Sequence, residues 1–349
     1  MKTKNIKSLV RKNIAELSPY STARDEYTGP LGVFLDANES PYDNGYNRYP
    51  DPHQKRLKQA ISAIKGVNAE NIFIGNGSDE AIDILFRVFC EPRQDNALAI
   101  APSYGMYKVA AAINDVELRE VQLKTDFALP VEELLQSVDD NTKLIFLCSP
   151  NNPTGNSFPR EDILRIVEEF EGVVVVDEAY IDFAEAKTLV DAIATHPNLV
   201  VLQTMSKAWG MAGLRVGLAL ADSSVVAVMS QVKYPYNINL ATMHIVEELL
   251  DEPLQEHVAE IKMQRSILSS ALRSMSFVER VYPSDANFVL VKVADADALY
   301  DYLIADGIIV RNRNRVKGCE GSLRISVGTP HENEKLIKSL ERYEESVVR

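Results

Sequence analysis

The stretch TMSKAWGMAGLR, Thr204 to Arg215, places one lysine, Lys207, among small residues directly after the apolar run Leu199 to Leu202. A lysine ammonium is ordinarily a solvated point charge, and it becomes a useful nucleophile only when burial or a neighbouring cation lowers its pKa. Arg215, eight residues on, is a nearby source of such charge. Taken alone, a Ser-Lys pair reads as a surface turn, because lysine is mostly exposed. Two upstream clusters change that reading.

SPNNPTG, Ser149 to Gly155, follows an apolar run, and VVVVDEAY, Val173 to Tyr180, contains one. In open α/β sheets ligands bind beyond the carboxyl ends of the strands, so Asn152, Asp177 and Lys207 can converge although they are far apart in the chain. An amine, a carboxylate and a neutral amide then face one site. That set suits pyridoxal 5'-phosphate: Lys207 for a Schiff base, Asp177 to keep the pyridine nitrogen protonated, Asn152 to hydrogen-bond the ring oxygen.

Outward from these motifs, short apolar strands alternate with helical segments: Ile72 to Ile74, Ala97 to Ala101, Glu117 to Val121, Leu144 to Cys148, Val173 to Val176, Leu199 to Leu202 and Val216 to Leu220. The pattern predicts an α/β fold with a mostly parallel sheet covered on both faces. After Gly77, Ser78 or Asp79 can cap a helix whose free amides form an anion site. Helical periodicity dominates from Asn239 to Met275. Strands near Val278 to Val281, Phe288 to Val293, Ile308 to Val310 and Leu323 to Ile325 then suggest a smaller α+β C-terminal domain. The expected organisation is an N-terminal arm over residues 1–45 packing on the small domain, a large cofactor-binding domain over 46–250 and a small domain over 251–349.

Composition limits the partners. With 37 basic against 50 acidic residues and a net charge of −13, nucleic acid and anionic membrane surfaces are disfavoured. Three cysteines, Cys90, Cys148 and Cys319, have neither disulfide nor redox spacing, and the five histidines have no metal-ligand spacing. No metal is expected. The absence of a signal-like or membrane-spanning apolar run gives the expectation of a cytoplasmic protein.

The order Asn152, Asp177, Tyr180, Lys207, Arg215 resembles that of the fold-type I pyridoxal-phosphate aminotransferases, position by position. Within them the chain resembles the histidinol-phosphate aminotransferases, from about Leu17 to the C-terminus. LDANESPY, Leu35 to Tyr42, resembles their LNxNENP signature, with Asp36 and Ser40 as departures and Asn38 and Glu39 retained. The resemblance implies a large fold-type I domain with a smaller C-terminal one. It also implies a homodimer in which Tyr49, from RYPDP, reaches the cofactor phosphate of the neighbouring subunit. Ser78, Asp79, Thr204, Ser206 and Arg215 are expected to hold that phosphate, Tyr104 to stack on the ring, and Tyr180 to join Asn152 at the ring oxygen.

For the substrate, the resemblance implies Arg324, in LRISVGT, as the fork for a carboxylate and Arg311, in GIIVR, as a phosphate-binding cation. It adds Tyr20 and Asn38 as pocket residues. Read by itself, the run Arg311, Arg313, Arg315, Lys317 is a solvated basic loop. The implied reaction is ping-pong transfer of an amino group between histidinol phosphate and 2-oxoglutarate, giving glutamate, in histidine biosynthesis. Threonine-phosphate decarboxylases and aromatic aminotransferases share the Lys207-type constellation. A DNA-binding regulator of this fold would need a domain for which the N-terminal arm has no room.

Overall fold

In the computed structural model, which describes residues 5–18 and 32–347, the apolar runs become a seven-stranded sheet. Its strands are β1 (Ile72–Asn76), β2 (Asn96–Ala101), β3 (Glu117–Gln122), β4 (Thr142–Cys148), β5 (Val173–Asp177), β6 (Leu199–Thr204) and β7 (Val216–Ala221), in the order β1-β7-β6-β5-β4-β2-β3. Successive residues in a strand face opposite sides of the sheet. Ile72, Ile74, Val174 and Val176 therefore enter one core, while Phe73, Val173 and Val175 enter another across the sheet. Covering both faces removes any need for polar alternation, which is why these strands read as continuous apolar runs. Only edge strand β3, with Glu117 and its neighbours, lacks a buried residue.

β7 runs antiparallel to both of its neighbours, pairing Asn76 with Val216 and Thr204 with Gly217. That reversal positions the site. The beginning of β7 lies at the same rim as the ends of β1 and β6, so Arg215 arrives beside Gly77 and Thr204. The remaining strands pair in parallel and end at this rim.

The small sheet consists of β8 (Val278–Val281), β9 (Phe288–Val293), β10 (Arg311–Asn312) and β11 (Ser322–Ser326), all antiparallel, in the order β10-β11-β9-β8. The expected strand at Ile308 to Val310 begins instead at Arg311, and Ile309 is exposed. Helices Leu254–Arg273, Ala296–Ala305 and Pro330–Val347 cover this sheet. The first also bridges the domains: Leu268 and Leu272 enter the small core, whereas Val258 packs with Tyr180, Phe183 and Phe288.

The described start of the arm departs from expectation. Ile6 is buried against the large domain, joined by Leu9 and Val10, the Arg11 amide donates to the Val88 carbonyl at 3.0 Å, and Arg11 pairs with Glu91 at 3.1 Å. Residues 5–18 thus pack on the large domain rather than the small one, because the apolar face beside helix Ser78–Phe89 gives these three side chains their cover.

Just past β5, Glu178 is buried and accepts from Thr188 Oγ1 at 2.5 Å, the Leu189 amide at 2.7 Å and Gln203 Nε2 at 3.0 Å. No cation forms an ion pair with it among the described residues, and burial pushes its carboxyl up to about 7. The unfolded chain titrates this group near 4.5, so its contribution to stability is complete below that value and is lost as the pH rises through about 7. A Glu178→Gln variant should show a flatter melting-temperature profile between pH 5 and 8 than the parent, the difference amounting to roughly 3 kcal/mol at most. A turn of the Gln203 side-chain amide, whose Nε2 faces the Glu178 carboxylate, would present its unpartnered Oε1 to the new amide. Parallel profiles for the two proteins would refute this account.

Candidate active site

Four elements deliver the side chains that the sequence singled out. β5 ends on Asp177, β4 leads into the loop carrying Asn152, and β6 ends on Thr204 just before Ser206 and Lys207. β1 ends before Gly77 and helix Ser78–Phe89. All of them line a cavity of about 910 Å³ that also takes Tyr104, Tyr180 and Arg215 from the large domain and Arg311, Arg313 and Arg324 from the small one.

At one end of this cavity lies an anion cradle. Gly77 occupies the N-cap position, so Ser78 and Asp79 stand in the first turn, where the amides lack intrahelical partners; the expected Ser78 or Asp79 side-chain cap does not form. Gly77 has φ +73° and donates its amide to the Arg215 carbonyl at 2.8 Å. A Cβ there would stand 2.6 Å from Arg215 Nη2, and one on Gly217 would stand 2.0 Å from the Ser78 nitrogen. Gly217 is therefore required for the close approach of β7 to the helix start, whereas Gly77 is required by its positive φ, since the Arg215 side chain could move aside. Asp79 braces the cradle, accepting from the Tyr104 hydroxyl at 3.0 Å and facing Arg215 Nη2 at 3.5 Å. Thr204 Oγ1 accepts from the Ser206 amide at 3.1 Å.

Beneath the cavity Asp177 is buried with no cation in ion-pair range among the described residues. Its Oδ2 accepts from the Tyr107 hydroxyl at 2.9 Å and its Oδ1 from the Ala179 amide at 3.1 Å. Burial raises its carboxyl to about 6, against the lowering effect of the Tyr107 bond. Tyr107 is itself fully buried, stacked on Phe146 at 4.9 Å and set edge-on to Tyr104 at 5.6 Å.

Lys207 Nζ lies 5.8 Å from the centre of the Tyr180 ring. Its pKa is lowered, first by burial and then by the positive charge of Arg324; Arg215 contributes less. The cation that the sequence reading sought near Lys207 therefore comes chiefly from the other domain. Asn152 joins the two halves, donating to the Tyr180 hydroxyl at 3.3 Å and accepting from Arg324 Nη1. Phe288 packs edge-on against Tyr180 at 5.2 Å and lies 5.3 Å from the Arg324 guanidinium carbon.

This set fits pyridoxal phosphate. The cradle offers amides, hydroxyls and a guanidinium to a dianion, and a buried carboxylate without a cation is suited to a protonated ring nitrogen. An amine of lowered pKa lines the same cavity.

Of the predicted residues, Ser78, Asp79, Tyr104, Asn152, Asp177, Tyr180, Thr204, Ser206, Lys207, Arg215, Arg311 and Arg324 are brought together. Asn38 and Tyr49 are placed elsewhere, in a second cavity of about 470 Å³, where Tyr49 stacks on Tyr236 at 4.4 Å. Tyr20 lies outside the described residues. Sequence reading missed Tyr107, Arg313 and Gly217. Tyr107 carried one usable signal, its position three residues after Tyr104 at the start of helix Met106–Ile113, one turn along the same face. Gly217 had none, since its role depends on a segment far away in the chain.

Residues 25–340 match the aminotransferase class I and II family, and the chain belongs to it: the protein is an aminotransferase. It is 52% identical over 339 residues to the histidinol-phosphate aminotransferase of Parabacteroides distasonis, with 97% of this chain and 98% of that protein covered. It is 49% identical over 344 residues to that of Bacteroides thetaiotaomicron, covering 98% and 99%. Among solved structures, it is similar to histidinol-phosphate aminotransferase from Sinorhizobium meliloti in complex with pyridoxal-5'-phosphate, at 25% identity and a TM-score of 0.79, covering 86% of this chain and 84% of that one.

Proposed function

We propose that this chain transfers an amino group between L-histidinol phosphate and 2-oxoglutarate, with pyridoxal 5'-phosphate as cofactor, as a step of histidine biosynthesis. The observation that carries the substrate is the register of the small sheet. Arg311 stands directly opposite Arg324 across β10 and β11, both line the Lys207 cavity, and neither forms an ion pair with a carboxylate among the described residues. Paired guanidiniums without countercharge suit an anionic substrate and disfavour a purely aromatic side chain. Near-full-length relatives bearing the histidinol-phosphate aminotransferase name support the same choice.

When bound, the cofactor supplies an aldehyde for amines and an electron-withdrawing ring beside the carbon that loses a proton. The first-turn amides of Ser78 and Asp79, the Thr204 and Ser206 hydroxyls and Arg215 hold its phosphate. Asp177 would hold a proton at the ring nitrogen, Tyr104 would lie against the ring, and Asn152 and Tyr180 would donate to the ring oxygen. Lys207 Nζ, its basicity lowered by burial and Arg324, would hold the resting cofactor and, once freed, would serve as the base for the substrate's α-proton. Donor and acceptor use one cavity in turn, which makes the kinetics ping-pong.

We place the protein in the cytoplasm as a homodimer. Tyr46 and Tyr49 line the second cavity and are exposed, as are Val33, Leu35 and Tyr42 close by in the chain, and a partner subunit would cover such apolar side chains. In such a dimer Tyr49 would contact the partner's cofactor phosphate; Asn38 and Tyr20 are proposed as substrate-binding residues. No helix among the described residues is long and apolar enough to cross a membrane. Sedimentation at micromolar concentration tests the assembly; a monomer would overturn it.

The test of substrate is a half-reaction screen. Holoenzyme should convert its cofactor with histidinol phosphate far faster than with histidinol, phenylalanine or threonine phosphate. Loss of one partner from a desolvated ion pair costs roughly 2 to 5 kcal/mol, about thirty-fold to several thousand-fold in specificity. Arg324→Ala should harm both half-reactions by comparable factors, and Arg311→Ala should fall harder on the phosphorylated donor. Equal use of histidinol and its phosphate by the parent would overturn the assignment, as would release of carbon dioxide from threonine phosphate as the fastest reaction.

A further inference from the structure

Arg313 reads in the sequence as part of a solvated basic loop, and the structure turns it inward. The pairing of Arg311 with Arg324 continues past β10, because the Arg313 amide donates to the Ser322 carbonyl at 2.9 Å. Residues two apart in an extended segment share a face. Arg311 and Arg313 therefore project to the side from which Arg324 projects, and all three line the Lys207 cavity.

These three guanidiniums share one face of the small sheet in an unbalanced arrangement, and the exposed Arg315 and Lys317 of the following loop also line the cavity. The carboxylates that line it, Asp79, Glu120 and Asp177, form no ion pair with any of the three. The Nε groups of Arg313 and Arg324 are shielded from solvent, and neither has a hydrogen-bond partner among the described residues. Burial, followed by the charges of Arg324 and Arg311, pushes the Arg313 guanidinium down to about 10, so the three cations repel one another across the cavity. A carboxylate, with one charge and two oxygens, is matched by a single bidentate arginine. A phosphomonoester dianion carries about twice the charge and three terminal oxygens, and is suited to a cluster.

We infer that Arg313 is a specificity-determining residue that, together with Arg311, binds the phosphomonoester of the amino donor. The inference rests on the substrate reading above and adds a residue to it. Arg313 is the cation that lets this cavity distinguish a dianionic phosphate from a carboxylate or from a neutral alcohol. Its backbone is held by the sheet and its Nε by nothing, so its side chain can be changed with little effect on folding.

Arg313→Gln and Arg313→Lys are to be compared with the parent as holoenzymes, using single-turnover kcat/KM for histidinol phosphate, histidinol and 2-oxoglutarate, with melting temperature as a folding control. Loss of one charge-assisted partner should lower Arg313→Gln by about 10- to 100-fold on histidinol phosphate. The expected change is less than about threefold on histidinol, with 2-oxoglutarate between the two. Arg313→Lys, which keeps the charge and loses the planar fork, should recover part of the loss. Equal losses on histidinol and its phosphate, or no loss on the phosphate in a folded variant, would overturn the inference. Should the glutamine variant fail to fold, the lysine variant decides alone: a selective loss on the phosphate supports the role, and unchanged selectivity refutes it. If the parent itself does not prefer the phosphate, the substrate reading falls; if the parent discriminates and the variants discriminate equally, only the role of Arg313 falls.

Discussion

Lys207→Ala should lose transamination by a factor on the order of 10⁴, the upper end of what a positioned proton-transfer group contributes, and should still bind its cofactor. The two outcomes separate because the cradle and Lys207 are different parts of the site. Gly77, the first-turn amides, Thr204, Ser206 and Arg215 stay in place when the amine is removed, since they are held by the pairing of β7 with β1 and β6. Among the described residues Lys207, Lys108 and Lys317 line the cavity, and Lys207 is the one that follows β6 directly and has its pKa lowered by desolvation and by Arg324. Borohydride reduction of the holoenzyme, followed by peptide mapping, should therefore label Lys207 alone. A label on another lysine, or near-parental turnover by the alanine variant, would defeat the assignment.

The second large effect is expected at Asp177. Asp177→Asn keeps the shape of the floor and removes the charge that retains a proton on the ring nitrogen, so turnover should fall on the order of 10²- to 10³-fold while cofactor still binds. The direction of the pH response follows from burial, which raises the carboxyl to about 6. In the cofactor-free protein Asp177 is ionised above that value, and cofactor affinity should fall as the pH drops through about 6. Tyr107→Phe supplies a sharper check. The Tyr107 hydroxyl stabilises the carboxylate form, so its removal should move the midpoint of the affinity profile to higher pH. Fluorescence titration of the apoprotein with pyridoxal phosphate reads this directly. An unmoved midpoint would show that Tyr107 only fills space.

The large domain was readable because its strands are buried on both faces. Val173 to Val176 and Leu199 to Leu202 have no polar alternation to obscure them, and each ends on a polar residue where the sheet meets the cavity. The small domain was less so. Its strand at Arg311 carries side chains that face a cavity and a basic loop, so its apolar content lies one step too early, at Ile308 to Val310, and the predicted strand moved with it. The N-terminal arm was harder still, because Ile6, Leu9 and Val10 make a short apolar patch that either domain could have covered.

By itself the sequence determined the chemical inventory: Lys207 after an apolar run, Asp177 at the end of another, Asn152 in a loop, and hence a large α/β domain with a mostly parallel sheet and a cofactor carrying an aldehyde. These are local facts, set by periodicity and by residue type. The tertiary structure alone decided which distant groups act on one another. The reversal of β7 brings Arg215 to Gly77, a hydroxyl from helix Met106–Ile113 reaches Asp177, and the register of β10 on β11 aligns Arg311, Arg313 and Arg324 on one face. Electrostatic and steric effects act through space over a few ångströms, whereas sequence spacing records only distance along the chain.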